Sequence, residues 1–388
     1  MHYGNNFQQQ ALTNFIYNNL YNPPAYLHHI YNKEGKRESI DSLLAGENKL
    51  TWEKAVSNEF GRLTKGNKHG IKYTDTMEFI KKSEVPAGQK VTYSSFTCDH
   101  RPLKEEEFWA RLVVGGDKLV YFADASSPAA SVIETKLLVN SILLDHDKNA
   151  KFMSVDLKDF FLQSYMEQPE YMRLPIKWFP KDIIEKYDIN NLVSDGYVYI
   201  KIKRGMYGLR QAAILAYNQL VANLKPYGYY PIPHTVGMWA HTTRPTKFCL
   251  CVDDFGIKYH STEDAHHLLD ALRDNYKISI DWQGTNYCGL IFKWNYDQHY
   301  VDVTMPGYIA KVLDRYQHKQ PPKPVWSPHP FQPPKYGQRL QMAPDIDTTN
   351  KLNTKETRII QGIVGSILYY SRSLDPTMLT ALNDISAE

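Results

Sequence analysis

The period of the apolar positions changes several times along the chain, and each change marks an element. Over 131–144, Ile133, Leu137, Leu138 and Ile142 recur at helical spacing, which predicts a helix with those four on its buried side. The apolar run 151–156 is short and predicts a buried strand ending at Asp156. After Gly205 and Gly208, the series Leu209, Ala212, Ala213, Ala216, Leu220 and Leu224 predicts a second helix. Residues 247–252 and 255–259 are strand-like and separated only by Asp253 and Asp254, so the two acids are expected at the tip of a tight hairpin. Ser261 and Asp264 open a third helix, striped by Ala265, Leu268, Leu269, Leu272 and Tyr276. Strands are predicted over 277–282, 287–295 and 299–304, and helices over 307–316 and 355–371. Towards the N-terminus, a helix starting near Thr51 and strands over 91–123 with a turn at Gly115 and Gly116 complete the pattern. The middle third therefore runs strand–helix–hairpin–helix–strand, the order of a split βαβ sheet covered by helices on one face.

Length and composition narrow this picture. A chain of 388 residues exceeds one compact core, and 43% hydrophobic against 22% charged residues supports several packed units rather than disorder. The net charge of +3 gives no global basic signature, so any binding of nucleic acid must be local. The most one-sided long segment is 304–340, with six Lys or Arg against one acid, Asp314. Its proline-rich part, 320–337, reads as a linker. Cys98, Cys249, Cys251 and Cys288 have no metal-site spacing and read as small, reduced core residues, which points to an intracellular setting. No 18-residue apolar run exists, so no membrane span is expected, and residues 1–20 lack the pattern of a secretory signal. Residues 385–388 follow directly on a helical pattern, as in a chain cut from something longer.

The chemistry concentrates on Asp156, Asp253 and Asp254. Alone, an Asp-Asp pair in a turn is ordinary turn chemistry. Joined by a strand-borne Asp156, with a glycine-led helix between them, the pair places carboxylates where a sheet brings them together. Carboxylates at a sheet core repel one another unless cations neutralise them. Two Mg²⁺ ions about 3.5–4 Å apart suit such a site and support in-line nucleotidyl transfer.

The motifs around these acids resemble those of copia-type LTR retrotransposon reverse transcriptases, over roughly 51–388. ARLVVGG at 110–116 resembles the family's "KARLVAKG" strand, SVDLKDFFL at 154–162 its motif A "DVKTAFL", and EYMRLP at 170–175 the segment that follows. MYGLRQA at 206–212 resembles motif B "LYGLKQAP", and LCVDD at 250–254 resembles motif C "LYVDD". YCGLI at 287–291 resembles the primer-grip "FLGI", YIAKVL at 308–313 the thumb "YIEKLL", and IVGSILY at 363–369 the "LVGSLLYL" that precedes ribonuclease H. The series stands in family order.

The resemblance implies an α+β right-hand polymerase with fingers, palm and thumb, a ferredoxin-like palm sheet covered by helices, and the start of a connection segment. Its expected divisions are a lead-in over 1–50, fingers 51–150, palm 151–165, a fingers insertion 166–203, palm 204–304, thumb 305–320, a proline-rich linker 321–354 and a connection 355–388. It implies an RNA-directed DNA polymerase using two Mg²⁺ ions, or Mn²⁺, held by Asp156, Asp253 and Asp254. Phe161 would exclude a ribose 2′-hydroxyl; Arg111, Tyr207 and Gly208 would meet the incoming deoxynucleoside triphosphate, with Lys90 or Lys104 as a further contact. Cys251, Gly289, Lys311 and Arg315 would meet the nucleic acid. The implied partners are an RNA template, a DNA primer or RNA–DNA duplex, and integrase and ribonuclease H domains of one polyprotein. The implied setting is a cytoplasmic virus-like particle, with later transport to the nucleus, and no membrane. Several positions depart from the family: Cys251 replaces the motif C aromatic, Ala213 replaces the motif B proline, and no lysine stands between Trp282 and Tyr287. An inactive retroelement relic, a palm-type RNA polymerase and a binding module without enzymology are the competing readings.

Overall fold

The computed structural model describes residues 28–30, 37–101, 105–319, 323, 336–337 and 350–387. The chain divides into two units, Ala25–Asp302 and a second formed by Met1–Pro24 with Val303–Glu388.

Among the described residues, the larger unit holds two large apolar cores and a small cluster of Ile80, Tyr171 and Tyr199. The first lies on a six-stranded antiparallel sheet, with strands side by side in the order Ile278–Asp281, Lys151–Leu157, Asp254–Tyr259, Lys247–Cys251, Met238–His241 and Tyr229–Pro231. Alternate side chains leave a strand on opposite faces. Met153, Val155, Phe255 and Ile257 share one face, buried with the helices Ala212–Leu224 and Thr262–Arg273. The stripes predicted for these helices are the ones that pack: Ala216, Leu220, Leu224, Leu268, Leu269 and Leu272 are at most 1% exposed. Each such leucine contributes roughly 1.5–3 kcal/mol by burial, so packing rather than helix propensity fixes these elements.

The other face carries Phe152, Ser154, Asp156, Asp254, Gly256 and Lys258. Here the expectation of helices on one face alone is corrected. Helix Val132–Leu144 lies on this side: the Cys249 thiol donates to the Glu134 carbonyl at 3.4 Å, and the buried Lys258 ammonium donates to the Ser141 carbonyl at 2.8 Å and to Asp145 at 2.6 Å. The helix is also rotated from its predicted stripe. Thr135, Leu138, Val139 and Ile142 face inwards, while Ile133 and Leu137 are 68% and 55% exposed. Its sequence is apolar almost all round, so spacing does not choose between the two stripes; the polar anchors of Cys249 and Lys258 are tertiary.

The second core joins helix Lys49–Leu63 to two small sheets. One pairs Ser94–His100 with Phe108–Val114; the other orders Met77–Ile80, Tyr197–Arg204, Tyr165–Pro175 and Val91–Thr92. The strands expected over 91–123 thus end at Val114, and Gly116–Lys118 is a short 3₁₀ turn. The stretch expected as a lead-in contributes a strand, His28–His29, paired with the end of Ser94–His100, and helix Ile40–Ala45, whose Ile40 is buried in this core.

In the smaller unit, helix Tyr308–Arg315 packs on helix Thr354–Ser373, and the Tyr308 hydroxyl donates to the Ser366 carbonyl at 2.9 Å. Most of the proline-rich segment lies outside the described residues. Among the described residues, no helix is long and apolar enough to cross a membrane.

Candidate active site

The hairpin turn is Val252-Asp253 rather than Asp253-Asp254. Cys251 pairs with Asp254, which is already the first residue of its strand. A two-residue hairpin turn requires a left-handed backbone at its first central position, and Val252 supplies it at φ +63°. For a β-branched side chain that conformation is strained. The shift by one residue decides where the acids go. Asp254 stands directly opposite Asp156 across the ladder, and Ser279 stands opposite Asp156 on its other side. Directly opposed side chains have Cβ atoms about 4.5–5.5 Å apart on one face. Asp253 is held at the same level, its carbonyl accepting the Leu157 N–H at 3.3 Å. The Ser279 hydroxyl donates to Asp156 at 3.4 Å.

The acids feel one another. Burial, then the charges of Asp253 and Asp156, push the Asp254 carboxyl up to about 6. Burial also raises Asp253; Asp156 adds to the rise, while a backbone hydrogen bond and Arg111 oppose it. Among the described residues, no three His, Cys, Asp or Glu side chains are already clustered around a cation position. The arrangement is a cross-strand pair with a third acid in the adjoining turn, not a closed ligand cage. An all-oxygen set carrying unrelieved negative charge nevertheless fits Mg²⁺ or Mn²⁺, which keep waters and take further ligands from a substrate.

A second group of predicted residues assembles around Tyr207. Its ring meets Phe161 edge-on, with centroids 5.7 Å apart at 88°, and the Arg111 guanidinium lies over it at 4.2 Å. Burial pushes the Tyr207 hydroxyl up to about 12, with Arg111 opposing. The Arg111 Nε is buried and has no hydrogen-bond partner among the described residues. Phe161 is half-buried, whereas its neighbour Phe160 belongs to the core and packs near Tyr276. Gly208, at φ +93°, serves a close approach between backbones: a Cβ there would strike the Val114 carbonyl, and one at Gly116 would strike the Gly208 carbonyl. The Val114 N–H donates to the Tyr207 carbonyl at 2.8 Å. This interlock sets the Arg111 strand against the Tyr207 loop.

Four polar residues behind this group carried no role in the sequence reading. Glu59 is 1% exposed, pairs with Arg62 at 2.6 Å, and accepts the Leu112 N–H at 2.9 Å. Arg62 also pairs with Glu106 at 2.6 Å and lies over Trp109. Asp159 is raised by burial, with Arg62, Lys158 and Lys277 opposing. The signal for the pair was the i,i+3 spacing of Glu59 and Arg62 within a buried helix; nothing in spacing joins them to Glu106 or Asp159.

The strand expected over 287–295 is itself a hairpin. Asn286–Tyr287 pairs with Leu290–Asn295, and Cys288 and Gly289 form the turn at φ +50° and +76°. Its tip lines a cavity of about 380 Å³ shared with Asp156, Asp254 and Ser279. Gly289 is therefore at the acidic site, and so is Cys251, opposite Asp254. Lys311 and Arg315 belong to the smaller unit; burial lowers Lys311, and Arg315 lies 5.2 Å from the Tyr316 ring. Lys90 is exposed at the edge of Val91–Thr92, and Lys104 lies outside the described residues.

No family model matches the chain, and no curated protein matches its sequence. Among solved structures, it is similar to a foamy viral protease-reverse transcriptase in complex with double-stranded DNA, at 12% identity and a TM-score of 0.39, covering 95% of this chain and 46% of that one. It is similar to apo telomerase from Candida tropicalis at 13% identity and a TM-score of 0.34, over 66% of this chain and 60% of that one. A foamy viral protease-reverse transcriptase with an RNA/DNA hybrid is matched at 14% identity and a TM-score of 0.33, over 77% and 30%. The chain thus spans less than two thirds of each of these structures.

Proposed function

We propose that this chain is an RNA-directed DNA polymerase of the copia-type retrotransposon kind, its palm formed by the six-stranded sheet. The observation that carries the proposal is the cross-strand pairing of Asp156 with Asp254 beside the turn acid Asp253, with burial and like charge raising both members of the doublet. Asp156 and Asp253 would be the main ligands of two divalent ions and Asp254 a weaker one. When bound, such ions lower the barrier to attack by a primer 3′-hydroxyl and to departure of pyrophosphate. The chain's own side chains bind and orient. Arg111, stacked on Tyr207, presents a guanidinium suited to phosphate oxygens. The Phe161 ring, propped edge-on by Tyr207, forms a wall where a ribose 2′-hydroxyl would project, which favours deoxynucleotides. Cys251 and the Cys288–Gly289 tip flank the acids on the side where a primer end would rest. Lys311 and Arg315 would follow duplex phosphates. The RNA template, the polyprotein partners and a virus-like particle as setting belong to the same proposal.

Primer extension on poly(rA)/oligo(dT) with Mg²⁺ or Mn²⁺, wild type beside Asp253→Asn, tests it. The expected result is metal-dependent DNA synthesis that the substitution reduces by about two to three orders of magnitude, the scale of lost charge stabilisation at a reacting centre. Folded wild-type protein without synthesis favours the inactive relic.

A further inference from the structure

We infer that Cys251 and Cys288 are a disulfide-forming pair set beside the acidic site, so that oxidation by a peroxide-class oxidant ties the two hairpins together there. The two thiols come from distant parts of the chain. Cys251 ends the strand Lys247–Cys251, one position before the strained Val252. Cys288 is the first turn residue of the hairpin built from Asn286–Tyr287 and Leu290–Asn295. The sheet brings them to one place: Cys251 stands opposite Asp254 across the ladder, and Cys288 lines the same cavity as Asp254. A separate anchor fixes the hairpins together, because the Tyr287 hydroxyl donates to the Cys249 carbonyl at 3.3 Å. Both thiols are reduced and half-buried, and Cys288 lines the cavity shared with Asp156 and Asp254. The other two cysteines, Cys98 and Cys249, are buried, away from a cavity through which an oxidant would arrive. Neighbouring thiols that solvent can reach are the ones that convert to a disulfide rather than to higher acids.

The chemistry balances with hydrogen peroxide as the oxidant. One sulfur attacks a peroxide oxygen; the O–O bond breaks, a sulfenic acid forms, and the departing oxygen leaves as water. The second sulfur then attacks the sulfenic sulfur, the S–O bond breaks, and the hydroxyl leaves as a second water. The sulfurs together lose two electrons, and the peroxide gains them. A thiol reductant reverses the step by exchange. The bond would pull the Cys288 tip against the base of the acidic turn, where the proposed polymerase needs space for a primer end.

The test uses the full chain. Reduced protein is treated with hydrogen peroxide, digested without reduction and mapped by mass spectrometry. The expected result is a linked peptide joining 251 and 288, absent after dithiothreitol and absent in Cys288→Ser, while Cys98 and Cys249 stay as thiols. Sulfinic or sulfonic acids on Cys251 or Cys288 without a link, in protein whose circular dichroism is unchanged, overturn the inference. Primer extension adds a second readout: synthesis falls at least tenfold on oxidation and returns with dithiothreitol. The functional consequence rests on the polymerase reading, but the peptide map does not. A linked peptide in protein that never extends a primer sinks the polymerase and leaves the pair standing; a working polymerase without the link does the reverse.

Discussion

A carboxylate buried as deeply as Glu59 persists only when its charge is answered, and here the Arg62 guanidinium and the Leu112 N–H answer it. Glu59→Ala leaves Arg62 facing the space, so unfolding stability should fall by about 3–5 kcal/mol in urea titrations. A loss under about 1 kcal/mol would mean that Glu106 alone suffices for Arg62. Asp254 is the opposite case. Its folded-state carboxyl sits near 6, above its value in the unfolded chain, so the folded state holds the proton more tightly. Stability from this group is full below about pH 4 and is lost as pH rises through 6. Without divalent cations, Asp254→Asn should therefore stabilise the protein at pH 7 by about 2 kcal/mol, with the gain vanishing near pH 4. Melting curves across that range check the sign; a destabilised variant at pH 7 would show that the acids are not in repulsion. Phe161→Val should raise ribonucleotide incorporation relative to deoxynucleotide by ten-fold or more if its ring is the wall against the 2′-hydroxyl, and unchanged discrimination would remove that role.

At the scale of elements, what the sequence made legible is what a single period can carry. Ala216, Leu220 and Leu224 had one apolar stripe to offer, and so did Leu268, Leu269 and Leu272, and these helices pack as their spacing indicates. Helix Val132–Leu144 had two, and the choice fell to Lys258, whose ammonium reaches Ser141 and Asp145 from a strand far along the chain. The acidic hairpin was legible to within one residue. The missing residue mattered, since moving the turn to Val252-Asp253 is what sets Asp254 opposite Asp156. The Cys288–Gly289 turn was hidden because an apolar run with one glycine reads as continuous strand. The contacts of Glu106, Asp159 and Cys288 join residues with no shared period, and no local rule could link them. The Lys258 anchor gives its own prediction. Hydrogen bonds from Lys148 and Lys258 hold the Asp145 carboxyl far below the usual carboxylate range. Its contribution is complete above about pH 4 and disappears as pH falls below that. Asp145→Ala should cost about 3 kcal/mol at pH 7, because the buried Lys258 ammonium loses its carboxylate, and the difference from wild type should shrink in acid. Circular dichroism melts at pH 7 and pH 3 decide it.

Among the described residues, the two large apolar cores lie within Ala25–Asp302, while Val303–Glu388 has its own helix pair. A near-neutral chain that was to handle polyanions has to place its charge locally, and the proposed contacts accordingly sit in both units, Arg111 in one and Lys311 and Arg315 in the other. A chain ending at Asp302 should keep a cooperative thermal transition of its own, and a molten baseline in its place would show that the larger unit depends on the smaller. The left-handed Val252 has a consequence on a longer clock. A β-branched residue in that conformation costs on the order of 1–3 kcal/mol, and asparagine adopts it with less penalty. Under laboratory selection for heat tolerance alone, codon 252 should drift towards asparagine. If the tension in the turn aims Asp253, the drifted clones will outlast their parent and copy templates more slowly; clones that gain endurance at full speed would reveal a historical accident.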